Sequence, residues 1–131
     1  MKYYLLVIMF FISSLGYSQK QFEHLKPTKE NVLLVCNYHN IQFKNYVLAQ
    51  AIQECGLNPS KRHNNLFGLS HSKGLYRFSH WSYSVKMYKD KIQSKYKSGE
   101  KYISFLKRIG YASDPKYISR ITKIKNSLQY D

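Results

Sequence analysis

Apolar residues recur along most of this chain at helical spacing. Val47, Leu48, Ala51, Ile52 and Cys55 form one stripe of 3.6 period, which predicts a central helix over residues 45–55, stopped by Gly56 just past the last periodic position. An earlier helix starts at Pro27-Thr28, with Thr28 as N-cap, Glu30 in the first turn, and Val32, Leu33, Val35 and Cys36 turned inward. It ends near His39-Asn40, and Phe43 leads into the central helix. Residues 57–63 are a basic, turn-rich connection. The period then shortens, so that residues 66–70 and 75–78 read as two short strands around His71-Ser72-Lys73-Gly74, a hairpin or a loop behaving like one. Ser79 is placed to cap a helix bearing Trp81, Val85, Tyr88 and Ile92, a spacing in which Trp81 is more often core than a carbohydrate platform. Ser98-Gly99-Glu100 opens another helix, with Glu100 in its first turn and Tyr102, Phe105, Leu106 and Ile109 inward, stopped by Gly110. Asp114-Pro115 is an N-cap followed by proline at N1, ahead of a last helix with Ile118, Ile121, Ile124 and Leu128 on one face and Arg120, Lys123 and Lys125 on the solvated one. The fold class expected is mainly α (α+β), with a short β-hairpin after the central helix. Residues 19–26 are polar and read as an irregular arm.

The N-terminus follows another logic. Lys2 precedes an unbroken apolar run over residues 3–12, and Ser13, Ser14, Leu15, Gly16, Tyr17 and Ser18 supply a small-residue cleavage region. That order predicts a secretory signal peptide over residues 1–18, cut before Gln19, and an exported, periplasmic or secreted, single domain over residues 19–131. Of 131 residues, 21 are Lys or Arg and 7 Asp or Glu, a formal net charge of +14. Without Lys2 the balance is 20 against 7, or +13. Such a field favours polyanions. Outside the cytoplasm these are wall polymers and anionic membrane surfaces, so nucleic acid is not expected as a partner. Cys36 and Cys55 would meet a compartment that permits disulfides: either they bridge and anchor the central helix, or Cys55 is simply a small buried residue. No CxxC occurs, and His39, His63, His71 and His80 lack paired ligand spacing, so neither metal nor cofactor is expected.

Chemistry centres on Glu54. It lies in the last turn of the central helix at the border of the apolar stripe, half out of water and at the negative end of the helix dipole. Both effects favour the protonated carboxyl that a general acid requires. Pattern alone favours the plainer reading, a solvated glutamate at a helix end.

Three motifs carry a resemblance. Ala49, Gln50, Ala51, Glu54 and Gly56 stand in AQAIQECG; Asn64, Asn65, Leu66, Phe67 and Gly68 spell NNLFG; Gly110, Tyr111, Ala112, Asp114, Pro115 and Tyr117 form GYAxDPxY. In this order they resemble the glucosaminidase domain of glycoside hydrolase family 73, bacterial peptidoglycan hydrolases of lysozyme-like fold, and the similarity spans residues 28–128. The resemblance implies cleavage of the β-1,4 bond between N-acetylglucosamine and N-acetylmuramic acid, with peptidoglycan strands as partner and Glu54 as acid. It makes Tyr117 and Tyr111 further catalytic candidates, and Gln50, Asn64, Asn65 and Phe67 substrate contacts. Two departures stand out: Cys55 replaces the usual Ser or Thr, and Leu57 replaces a frequent aromatic. The remaining acids of the mature chain are Glu23, Glu30, Asp90, Glu100, Asp114 and Asp131, and residues 69–79 contain none. A second catalytic carboxylate must therefore come from afar, or the substrate's own 2-acetamido group acts as nucleophile. The competing readings are a glycan-binding module that kept the fold without turnover, and a basic polyanion-binding protein. Oligomeric state is left open.

Overall fold

The computed structural model describes residues 20–111 and 114–128. The expected signal peptide, Ala112 and Asp131 lie outside them. Five α-helices and one small hairpin make up the described part, which is mainly α as the spacing predicts.

Helix α1 (Lys29–Tyr38) begins where Thr28 accepts from the Asn31 N–H at 3.2 Å, and it buries Val32, Leu33, Val35 and Cys36. A turn through Asn40 leads to α2 (Lys44–Cys55). Phe43 enters α2 with a left-handed backbone (φ 55°), unusual for a bulky residue. Its ring stacks on Tyr102 at 4.9 Å and meets the edge of Tyr96 at 5.4 Å, contacts that hold this conformation. Val47, Leu48, Ala49, Gln50 and Ala51 are all buried, so α2 is sunk into the molecule on every side at its middle. Gly56, left-handed at φ 58°, closes it.

After the connecting loop, β1 (Ser70–His71) and β2 (Gly74–Leu75) pair antiparallel, with Ser70 opposite Leu75. The ladder is shorter than residues 66–70 and 75–78 promised. Asn65 explains this: its side chain takes the Leu69 N–H and donates to the Tyr76 carbonyl, the two groups that would have bonded each other in a longer ladder, so only the Tyr76 N–H to Leu69 carbonyl bond at 3.0 Å continues past the strands. Helix α3 (Ser82–Lys91) starts after Trp81 rather than at a Ser79 cap. Trp81 is core, and its indole N–H donates to the Leu25 carbonyl at 2.8 Å. That bond pins the segment expected to be an irregular arm, which folds as a 3-10 turn (Lys20–Phe22) with Phe22 buried against Tyr38.

A 3-10 turn (Gln93–Lys95) follows, then α4 (Tyr102–Arg108) and α5 (Pro115–Ser127). Glu100 stands ahead of α4, not in its first turn, because its carboxylate is engaged by Arg108 and the Lys97 N–H. Asp114 caps α5 by accepting from the Lys116 N–H at 2.9 Å. Helix α5 packs chiefly on α2 and drives Ile121 fully into the core. Of the two readings left open for Cys36 and Cys55, the structure has the unbridged one: both are free thiols. Cys36 is buried on α1, where burial pushes its thiol up to about 12, and the Cys55 thiol turns instead to the Ala51 carbonyl at 3.4 Å. Among the described residues no helix is long and apolar enough to cross a membrane.

Candidate active site

Gln50 and Glu54 are four residues apart on α2, one turn and the same face. Opposite them the loop after Asn65 passes so close that a Cβ on Gly68 would lie 3.1 Å from Glu54 Oε2. Gly68 is also left-handed at φ 62°, so backbone conformation and the closeness of the Glu54 carboxyl both favour glycine there. The loop is held from both sides. Asn65 clamps it internally, and the Tyr111 hydroxyl donates to the Phe67 carbonyl at 2.9 Å. Asn64, itself left-handed, donates to the Phe78 carbonyl at 3.1 Å and ties the loop to the segment after the hairpin.

Glu54 opens into a cleft of about 600 Å³. Phe67, Gly68 and Leu69 line it from the loop, together with Tyr76, Tyr111, Met87 and the exposed Lys91 and Lys95. Glu54 is exposed along the cleft, yet partial desolvation of its carboxyl raises its pKa above the ordinary value, and the neighbouring Tyr117 hydroxyl opposes the rise by favouring the ionised form. Tyr117 in turn is raised by burial and accepts from Gln50 Nε2 at 3.5 Å. The rings of Tyr111 and Tyr117 lie 6.3 Å apart, and burial raises Tyr111 well above the usual phenol value.

The structure thus brings together Glu54, Tyr111 and Tyr117. It sets the other expected site residues differently. Gln50 is fully buried, with its carbonyl accepting from Tyr88 at 2.5 Å. The Asn64 and Asn65 amides are spent on shaping the loop, and the Phe67 ring is buried 4.6 Å from Tyr88. Gln50, Asn64 and Asn65 thus hold the structure around the cleft, and Phe67 lines it. Spacing does not single out Gly68, Tyr76, Lys91 or Lys95. The one signal available for the lysines is their four-residue separation at the end of a helix.

Glu54 is the only carboxylate among the described residues lining the cleft. The other acids with resolved partners are occupied elsewhere: Glu23 accepts from Tyr83, Asp90 pairs with Lys86 at 2.6 Å, Glu100 with Arg108 at 2.7 Å, and Asp114 caps α5. A second hollow of about 740 Å³ lies at the N-terminal end of α2, lined by Phe43, Lys44, Tyr46 and Lys125 among others, without any carboxylate. A lone, partly desolvated carboxyl beside phenols and lining a cationic cleft is suited to proton transfer rather than to metal ligation.

No curated protein and no solved structure gives a significant match to the chain. A family model described as glucosaminidase, mannosyl-glycoprotein endo-beta-N-acetylglucosaminidase, matches residues 31–130. That match covers most of the chain, from α1 to past the end of α5, and includes all three motifs that meet around Glu54. The chain therefore belongs to the glucosaminidase family of glycoside hydrolases.

Proposed function

We propose that this protein hydrolyses peptidoglycan between N-acetylglucosamine and N-acetylmuramic acid, with Glu54 as the general acid. The observation that carries the reading is the single carboxyl in the cleft. Partial desolvation favours its protonated form, and its exposure along the cleft leaves it open to a substrate. The neutral acid gives its proton to the glycosidic oxygen as the bond to C1 breaks, and N-acetylmuramic acid leaves with a C4 hydroxyl. The lack of a second carboxylate along the described cleft favours substrate assistance. In that route the 2-acetamido carbonyl oxygen bonds to C1 as the glycosidic bond breaks, and closes an oxazolinium ring that keeps the amide N–H. Ionised Glu54 then takes a proton from the water that opens the ring, and N-acetylglucosamine becomes the new reducing end. The Tyr117 hydroxyl is set to steady the carboxylate through this second half, with Tyr111 beside it. Lys91 and Lys95 in the cleft suit a glycan whose lactyl and peptide groups carry carboxylates. The charge and the segment over residues 1–18 support work on this wall after export.

Because the acid must be protonated, the rate falls as pH rises through the raised Glu54 pKa. Glu54→Gln keeps size and polarity but has no proton to give. Its turnover on purified peptidoglycan should drop about 10²–10⁴-fold, while sedimentation with insoluble wall and the unfolding midpoint stay near those of the unmodified protein. Digestion at the unmodified rate would falsify the assignment. If even the unmodified protein sediments with wall yet releases no new reducing N-acetylglucosamine, the chain is a wall-binding module.

A further inference from the structure

Behind the cleft lies a run of buried polar side chains that the chemistry above does not use. Gln93 is held by both its amide atoms against the backbone of Gln42: the Gln42 N–H donates to Gln93 Oε1 at 2.9 Å, and Gln93 Nε2 donates to the Gln42 carbonyl at 2.6 Å. This fixes which end of the Gln93 amide is nitrogen. That nitrogen also faces the Tyr102 hydroxyl at 3.4 Å. Tyr102 must accept there, so its single proton goes to its other partner, the Tyr88 hydroxyl. Tyr88, now an acceptor from Tyr102, places its own proton on the Gln50 carbonyl oxygen at 2.5 Å. With that oxygen taken, the Gln50 amide nitrogen is the end that faces Tyr117, and the Tyr117 proton is left for Glu54.

We propose that Gln93, Tyr102 and Tyr88 are positioning residues that set the orientation of the Gln50 amide, and through it keep the Tyr117 hydroxyl proton directed onto Glu54. The opposite orientation is self-defeating. Amide N–H groups would then enter the tyrosine pair from both ends, one buried hydroxyl proton would lack an acceptor, and the Gln50 carbonyl would draw the Tyr117 proton away from Glu54. All the members are buried, and burial pushes the Tyr102 hydroxyl up to about 12 and that of Tyr88 well above its usual value. Neither proton leaves near neutral pH, so the chain acts as a fixed set of dipoles. Its catalytic meaning rests on Glu54 being the acid; its existence does not.

Two measurements test it. In the unmodified protein, Overhauser contacts should link the Gln50 side-chain amide protons to the Tyr117 ring and not to the Tyr88 ring; the reverse pattern overturns the proposal and needs no variant. The second is a carbon-detected titration of the Glu54 carboxyl. Tyr88→Phe frees the Gln50 carbonyl to turn onto Tyr117, so Glu54 should titrate at higher pH by roughly half a unit or more, in the same direction as Tyr117→Phe. The other groups facing Glu54 are Tyr111, Tyr76, Lys91 and Lys95 in the cleft and Cys55 beside it on α2, and they are common to every variant. Tyr83→Phe, which removes a remote hydroxyl bonded to Glu23, should leave the titration unmoved. A folded Tyr88→Phe protein with an unshifted Glu54 overturns the proposal, as does an unshifted Tyr117→Phe protein. If Glu54 shifts but the alkaline limb of the pH–rate profile does not follow, the chain stands and Glu54 is not the acid.

Discussion

At Gly68 two constraints meet, one from the backbone and one from the neighbouring carboxyl. A side chain there would sit in the left-handed region, which costs an L-residue roughly 1–2 kcal/mol, and its Cβ would press on Glu54 Oε2 from 3.1 Å. Gly68→Ala should therefore lower the unfolding midpoint and also reduce kcat, by about ten- to a hundred-fold if the carboxyl is pushed from its line of attack. Thermal unfolding and turnover on the same preparation separate the two effects. A lowered midpoint with unchanged kcat would mean that the carboxyl steps aside without consequence. The NNLFG motif thus works mainly through shape: Asn64 and Asn65 fold the loop, Phe67 packs beneath it, and Gly68 lets it approach. A motif spelled in letters tells which residues matter, but not whether an amide faces a ligand or its own backbone.

Among the elements, α5 couples stability to the site most directly, because Tyr117 lies in its first turn and Asp114 caps that turn. Asp114→Ala should destabilise by about 1 kcal/mol and loosen the Tyr117 hydroxyl, lowering kcat more than it changes KM. Asp114→Asn, which can still accept from the Lys116 N–H, should restore both. Unfolding midpoints and initial rates decide it, and an alanine variant with full kcat would place Tyr117 beyond reach of the cap. The helices were legible for the same reason that this cap was. Wide apolar stripes and strong terminal residues such as Thr28, Gly56 and Asp114 leave little choice of period or boundary. Elements decided by distant partners were not legible. The hairpin is shortened by the Asn65 side chain, α3 starts at a tryptophan tied to Leu25, and α4 starts late because Glu100 turns to Arg108. Tyr88 and Tyr102 were readable as buried rings, but nothing in their spacing says that their hydroxyls meet.

For the whole molecule, the imbalance of charge is the dominant long-range property. With a formal charge of +14, or +13 without Lys2, binding to anionic wall should weaken as salt rises, since fields are screened beyond about 8–10 Å near physiological ionic strength. Sedimentation with insoluble peptidoglycan across a salt series measures this, and a flat response would mean that short-range contacts dominate. The field and the cleft also act together, because Lys91 and Lys95 bring positive charge to the cleft that the lone carboxyl also lines. A catalyst that borrows its nucleophile, the route proposed for this protein, hands the substrate a veto. Walls whose glucosamine nitrogens have lost their acetyl groups carry no carbonyl oxygen to attack C1, and present ammonium groups that two lysines repel. Such walls should resist this protein outright, and restoring the acetyl groups chemically, with acetic anhydride, should return them to sensitivity. An organism that edits that one substituent would set, from the outside, where along an envelope the proposed cleavage takes place.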